Sequence, residues 1–214
     1  MTTAPTIYLC DDDDGVRGSL AFLLKKHGLK VQALASGPEL LALIDQMKEP
    51  LRAVFVLDVR MEPMTGPQVH EQLCQRGLGK RSPVIFLSGH GDIPAAVAAM
   101  AKGALSFVEK PYTDDTLVPL TLQALELEKQ WFTAAKRSDF LQSLWDSLTP
   151  QQRRVALQKS TGDLNKTVAS NMGLSERMVE EHWVKVRDRL GVDSIATLAT
   201  TLADMRACGI ELST

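Results

Sequence analysis

The chain has 214 residues, enough for one large or two small domains. Apolar residues make up 44% and charged residues 23%, an ordinary globular mix, and a net charge of −2 gives the whole chain no electrostatic pull toward nucleic acid or membrane. Cys10, Cys74 and Cys208 are odd in number and far apart, so neither a metal site nor a disulfide framework is expected, and a reducing, cytoplasmic setting fits. Met1 to Ile7 lack a basic region followed by a long apolar stretch, so no signal peptide is expected, and no apolar run approaches membrane-spanning length.

Thr6 to Cys10 reads as a first strand running into four acids, Asp11 to Asp14. Val16, Leu20, Leu23 and Leu24 then recur at helical spacing up to His27-Gly28. Lys30 to Leu34 is a second strand, and Ser36 with Glu39 offers a capping box for a helix carrying Leu40, Leu43, Ile44 and Met47. Ala53 to Leu57 is a short apolar run, the pattern of a strand buried on both faces, and it ends in Asp58. A helix from about Pro67 to Arg76 leads to a fourth strand, Pro83 to Leu87, ending in Ser88. Asp92 can cap the next helix, which carries Ala96, Val97 and Met100; His90 reads as a loop histidine, neither ligand nor catalyst. Ala104 to Val108 is a fifth strand running into Glu109-Lys110-Pro111, and a last helix opens near Thr113. Cys10 reads as a small core residue, and Asp13 and Asp14 as solvated acids at a helix N-terminus.

Five strands alternating with five helices predict a doubly wound parallel sheet, whose right-handed crossovers put every strand's carboxyl end on one edge. Asp11, Asp12, Asp58, Ser88 and Lys110 collect there. Three clustered carboxylates repel one another unless a cation joins them, and hard oxygen ligands suit Mg2+. With Lys110 and the Ser88 hydroxyl available to phosphoryl oxygens, the set suits phosphoryl transfer.

These residues closely resemble the receiver domain of two-component response regulators, over roughly Thr6 to Leu125, and the run Ser88 to Pro94 resembles its FixJ-type branch. The resemblance implies a flavodoxin-like (βα)5 fold. It implies that Asp58 accepts a phosphoryl group from a sensor histidine kinase, and that Mg2+ is held by Asp12, Asp58 and the Arg60 backbone carbonyl, with Asp11 acting through water. Lys110 would pair with the phosphoryl group, Ser88 would swing toward it, and Phe107 would follow as the switch aromatic. The chain would be a phosphoacceptor, not a turnover enzyme. One departure is that Glu62 stands where the family usually has proline, with the proline at Pro63.

Leu120, Ala124, Leu127, Trp131 and Ala134 form a heptad-like seam, read equally as a linker pairing with a second chain or as a helix folded back on its own receiver. Pro119 falls in its first turns. Lys136 to Asp139 is a polar break and possible hinge, and Phe140, Leu141, Leu144, Trp145 and Leu148 an apolar patch beyond it.

Thr149-Pro150-Gln151-Gln152 is a helix start, Asn165 to Asn171 a short helix, and Met172 to Ser175 a tight turn. Ser175 caps a longer helix ended by Gly191, and a fourth runs from about Ser194 to Ala207. Helix, turn, helix is a plan whose second helix enters the major groove. This part resembles the LuxR/NarL-type DNA-binding domain, carried by Leu148 to Pro150, Asn165-Lys166, Ala169, Leu174-Ser175, Arg177, Val179-Glu180, His182 and Lys185 through Val192. The resemblance implies promoter DNA as partner, a recognition helix over Ser175 to Leu190, a dimer contact on the last helix, and Lys166, Ser175, Arg177, Glu180, Glu181, Lys185 and Arg187 at the DNA. Gln152, Met178 and Trp183 depart from the family pattern, and Trp183 reads as core. Between Pro150 and Gly191 eight bases against five acids leave only +3, so a single domain binds weakly and dimerisation on half-sites offsets this. Glu180 and Glu181 repel phosphates, but glutamate can accept from cytosine.

The expected plan is a receiver at 1–125, a linker helix region at 126–147, and a four-helix LuxR-type helix-turn-helix domain at 148–214: α/β followed by all-α, a regulator that forms homodimers on phosphorylation and has no membrane partner. Two other readings compete. Asp12-x-Asp14-Gly15-Val16 resembles the first motif of haloacid-dehalogenase-type phosphatases, with Asp114-Asp115 as metal acids, although these follow no predicted strand. Alternatively, the second half is an interaction module that does not bind DNA.

Overall fold

A computed structural model describes residues 4–47, 51–79, 81–89 and 93–213, for 93–96 in backbone only; His90 and Asp92 lie outside the described residues. The chain divides into two compact units, Met1–Thr133 and Ala134–Thr214. The first alternates β1 (Thr6–Cys10), α1 (Asp14–Lys26), β2 (Val31–Leu34), α2 (Gly37–Asp45), β3 (Ala53–Asp58), α3 (Gly66–Gln75), β4 (Val84–Ser88), α4 (Ile93–Ala101) and β5 (Ser106–Glu109). Helix α5 (Asp114–Asp146) follows, and the division between units falls within it. The sheet is parallel, in the order β2-β1-β3-β4-β5, with β3 at its centre.

The near-continuous apolar runs are explained by burial on both faces. Successive side chains of a strand point to opposite faces. In β3, Phe55 and Leu57 join Leu40, Leu41, Ile44, Val69 and Leu73 of α2 and α3. Val54 and Val56 join Leu20, Leu24, Leu117, Val118 and Ala124 of α1 and α5. Cys10 is fully buried among these residues, and burial pushes its thiol up to about 12.

The helix starts follow local chemistry. Asp13 caps α1 by accepting from Gly15 N at 2.8 Å and Val16 N at 3.0 Å. Ser36 caps α2, but Glu39 reaches Ala35 N rather than closing a reciprocal box on Ser36. Thr65 and Gln68 form a complete capping box on α3, and Thr149 and Gln152 form one on α6 (Pro150–Lys159).

Helix α5 departs from two expectations. Lys136 to Asp139 is helical throughout; lysine and arginine are good helix formers, and Arg137 pairs with Asp204 at 2.6 Å. Between Asp114 and Thr133, α5 buries Leu117, Val118, Thr121, Ala124 and Glu128, a different stripe from the predicted seam, of which Ala124 alone is fully buried. This stripe was hidden because two of its members are polar. Thr121 bonds back to the Leu117 carbonyl at 2.8 Å, and Glu128 is neutralised by Arg52. Pro119 lies inside the helix.

The second unit adds α6, α7 (Asn165–Met172), α8 (Glu176–Leu190) and α9 (Ile195–Ala207). Trp145, Val155, Val168, Val179, Trp183, Val186, Leu198, Leu202 and Met205 form its core. Gly173 ends α7 at φ +66°, a left-handed conformation that glycine reaches without penalty, so the chain turns sharply into α8.

Candidate functional site

Strand register assembles the first site. Cys10 of β1 lies opposite Leu57 of β3, so the next residues, Asp11 and Asp58, leave the sheet side by side. Ser88 pairs with Glu109, which places Lys110 one step beyond Ser88. Val59 N donates to the Leu87 carbonyl at 2.8 Å, and Lys110 N to the Ser88 carbonyl at 2.6 Å, which fixes both strand exits. Lys110 Nζ donates to Asp58 Oδ1 at 2.6 Å and to Asp11 Oδ2 at 2.9 Å. The other oxygen of each carboxylate is also engaged: Asp58 Oδ2 accepts from Arg60 N at 2.8 Å, and Asp11 Oδ1 from Asp13 N at 3.0 Å. Both carboxylates are buried.

Burial pushes the Asp58 carboxyl above the usual range; the hydrogen bond and charge of Lys110 oppose this, and the charge of Asp11 adds to it. Burial pulls the Lys110 ammonium down, but its bonds to Asp58 and Asp11 outweigh that, and its pKa is raised. Asp12 does not join the pair. It is exposed, and its Oδ2 accepts from Glu62 N at 3.3 Å. Among the described residues no group of three or more acidic, His or Cys side chains converges. The donor set still suits Mg2+, which needs only one or two carboxylates, the rest of its shell being water and phosphate oxygen.

Ser88 is buried, and its hydroxyl has no hydrogen-bond partner among the described residues. Phe107 is half-buried against the α2/α3 face of the core. Gly66 is a functional position that periodicity does not reveal. A β-carbon there would stand 2.3 Å from the Asp58 carbonyl oxygen, while Gly66 N donates to the Val59 carbonyl at 3.1 Å. Only glycine lets the start of α3 close over the end of β3 this tightly. The signal available in sequence was a glycine between a capping threonine and a proline.

On the second unit, Ser175 spends its hydroxyl capping α8 at Met178 N, 3.2 Å. Lys166, Arg177, Glu180, Glu181 and Lys185 are exposed, whereas Arg187 is half-buried with Nε unpartnered among the described residues. Glu180 accepts from Asn165 Nδ2 at 2.6 Å, and Asn165 Oδ1 accepts from Lys159 Nζ at 2.9 Å. Glu181 pairs with Arg177 at 3.1 Å. Trp183 is buried, as the sequence predicts. No helix among the described residues is long and apolar enough to cross a membrane.

A buried carboxylate–lysine pair at a parallel sheet's carboxyl edge, followed by a helix-turn-helix unit, is the arrangement of a receiver domain with an output domain. Residues 7–121 match the response regulator receiver domain, and residues 146–202 the bacterial regulatory proteins of the luxR family. The chain belongs to the two-component response regulators with a LuxR-type output domain, and is a transcriptional regulator. It is 36% identical, over 91% of its own length and 97% of the relative's, to the C4-dicarboxylate transport transcriptional regulatory protein DctR of Rhodobacter capsulatus. It is similar in structure to the response regulator StyR, with a TM-score of 0.84 at 31% identity, covering 94% of this chain and all of that one. Full-length FixJ from B. japonicum matches at a TM-score of 0.56 and 30% identity, covering 96% of this chain and 99% of that one. Neither competing reading is favoured. Asp114 and Asp115 open α5 instead of following a strand, and the second half matches a DNA-binding family.

Proposed function

We propose that Asp58 accepts a phosphoryl group from the phosphohistidine of a sensor kinase, and that this controls promoter binding by the second unit. In the transfer the histidine N–P bond breaks, its electron pair stays on the imidazole, and a carboxylate oxygen of Asp58 forms the new P–O bond. The observation that carries the proposal is Lys110 held between the buried carboxylates of Asp58 and Asp11. Lys110 works against the rise that burial imposes on the Asp58 carboxyl, which favours the nucleophilic carboxylate, and can pass from the carboxylate to a phosphoryl oxygen. The unpartnered Ser88 hydroxyl can donate to another, and Phe107 follows into the space Ser88 vacates. Asp11, Asp12, Asp58 and the Arg60 carbonyl would hold Mg2+, which supplies positive charge against the carboxylates and the phosphoryl oxygens.

We assign the receiver to 1–125, the linker region to 126–147 and the DNA-binding domain to 148–214, in a cytoplasmic phosphoacceptor that is not a turnover enzyme. Lys166, Arg177, Lys185 and Arg187 contact phosphates or bases, Ser175 and Glu180 set the pose of α8, and Glu181 faces the groove. Phosphorylation promotes a homodimer, which doubles the cationic contacts. The test is treatment with acetyl phosphate and Mg2+, following mass, self-association and DNA retention. Wild type should gain one phosphoryl group and self-associate, while Asp58→Asn does neither. An adduct of equal yield on Asp58→Asn would overturn the assignment.

A further inference from the structure

Helix α8 turns a coherent inner face to its core: Val179, Trp183, Val186 and Leu190 are buried. Two residues earlier in each case stand Arg177, Glu181, Val184 and Asp188, all exposed. Two residues are about 200° of rotation at 3.6 residues per turn, so these four lie diametrically outward. This is the stripe a helix in the major groove presents to base edges.

The composition of that stripe is unusual for a DNA reader. Its centre is Val184, an aliphatic side chain that is 40% exposed. Its neighbours along the stripe, Glu181 and Asp188, are acids that phosphates repel. Such a face gains little from the backbone, so its attraction must come from base edges. Two major-groove features suit it: the thymine 5-methyl group, which takes an apolar contact, and the cytosine N4 amine, which donates to a carboxylate. Of the two adjacent glutamates, Glu180 is tied to Asn165 at 2.6 Å and through it to Lys159, which holds it against the start of α7 and the end of α6. Among the described residues Glu181 is held by the exposed Arg177, an i,i+4 pair that gives way readily to a better partner.

We infer that Val184 and Glu181 determine operator specificity, Val184 by packing on a thymine methyl and Glu181 by accepting from a cytosine amine. This rests on the reading of the second unit as a DNA-binding domain. Arg177, released from Glu181, and the neighbouring Lys185 are left to the phosphates.

The test uses the full chain treated with acetyl phosphate and Mg2+, with duplexes selected from a random pool. The enriched half-site should hold one thymine whose replacement by uracil, which lacks only the methyl, weakens wild-type binding about fourfold per half-site, the weight of one buried methyl-sized group. Val184→Ser, which puts a small polar group in place of the aliphatic one, should be indifferent to that replacement. Glu181→Gln should lose its preference for cytosine at a second column and move toward adenine, the base glutamine reads. Both side chains are exposed, so neither variant disturbs the core, and the uracil replacement in wild type tests the thymine contact without any variant. If no duplex is retained, the DNA-binding reading itself fails. If duplexes are retained, but no thymine methyl matters and neither variant shifts the motif, this inference fails and the DNA-binding reading survives.

Discussion

Arg52→Met should destabilise the chain by about 3–5 kcal/mol, because it strands a buried carboxylate. Glu128 is 1% exposed and Arg52 11%, and the guanidinium grips the carboxylate through both arms, Nε to Oε1 at 3.1 Å and Nη2 to Oε2 at 2.7 Å. Arg52 also lies over the Phe132 ring, 4.4 Å from its centroid. The pair joins two places far apart in sequence. Arg52 immediately precedes β3, and its carbonyl takes the Thr6 N–H that starts the β1–β3 pairing, at 3.0 Å. Glu128 stands on α5, beyond its aliphatic contacts with the sheet. Removing the arginine therefore loosens α5 against the sheet as well as unpairing the acid. Urea denaturation of the full chain measures the loss, and at about 2–4 °C per kcal/mol the melting temperature should fall by roughly 10 °C. Glu128→Leu in the Arg52→Met background should recover part of the stability, because a paired apolar replacement leaves no buried charge. A loss below about 1 kcal/mol in Arg52→Met, or strict additivity in the double variant, would refute the reasoning.

Three further outcomes follow from the same coordinates. Gly66→Ala should lower stability by about 1–3 kcal/mol, because its β-carbon collides with the Asp58 backbone, and should reduce phosphoryl uptake; calorimetry and mass spectrometry after acetyl phosphate treatment read the two effects. Ser88→Ala removes a buried hydroxyl without a partner among the described residues, so stability should stay level or rise by up to about 1 kcal/mol while phosphorylation-induced self-association weakens; a clear loss of stability would contradict this. Burial, with the Lys102 charge adding, pulls the buried His70 imidazole below its ordinary 6.5, so the folded state protonates later than the unfolded one as pH falls. Its contribution is therefore intact above about 6.5 and lost as pH drops below that, with a slope of up to about 1.4 kcal/mol per pH unit; His70→Leu should flatten the stability profile there.

The helix-start signals were mostly legible because capping is local: Thr149 with Gln152 and Ser175 before Glu176 act within three residues of themselves. The strands were legible to within a residue or two, and β1, β3 and β4 most clearly, because burial on both faces writes unbroken apolar runs. The buried face of α5 was not. A stripe that buries Thr121 and Glu128 looks solvent-facing until Arg52, 76 residues away, is seen to pair with the glutamate. Nor does the sequence show which of the two adjacent acids Lys110 grips. Asp11 and Asp12 are indistinguishable as letters, but Asp11 is buried against Lys110 while Asp12 is exposed and accepts from Glu62 N.

The amino-acid sequence by itself determined the order of strands and helices, the polar residue ending each strand, and the two-part plan of sheet followed by helix-turn-helix. These are set by neighbours within a few residues and by the repeat of apolar positions. Only the tertiary structure decided which carboxylate meets Lys110, which glutamate of α8 is tied down and which faces outward, and that Gly66 must leave room for the Asp58 carbonyl. Those outcomes depend on distances between separate elements, which no local pattern of residues records.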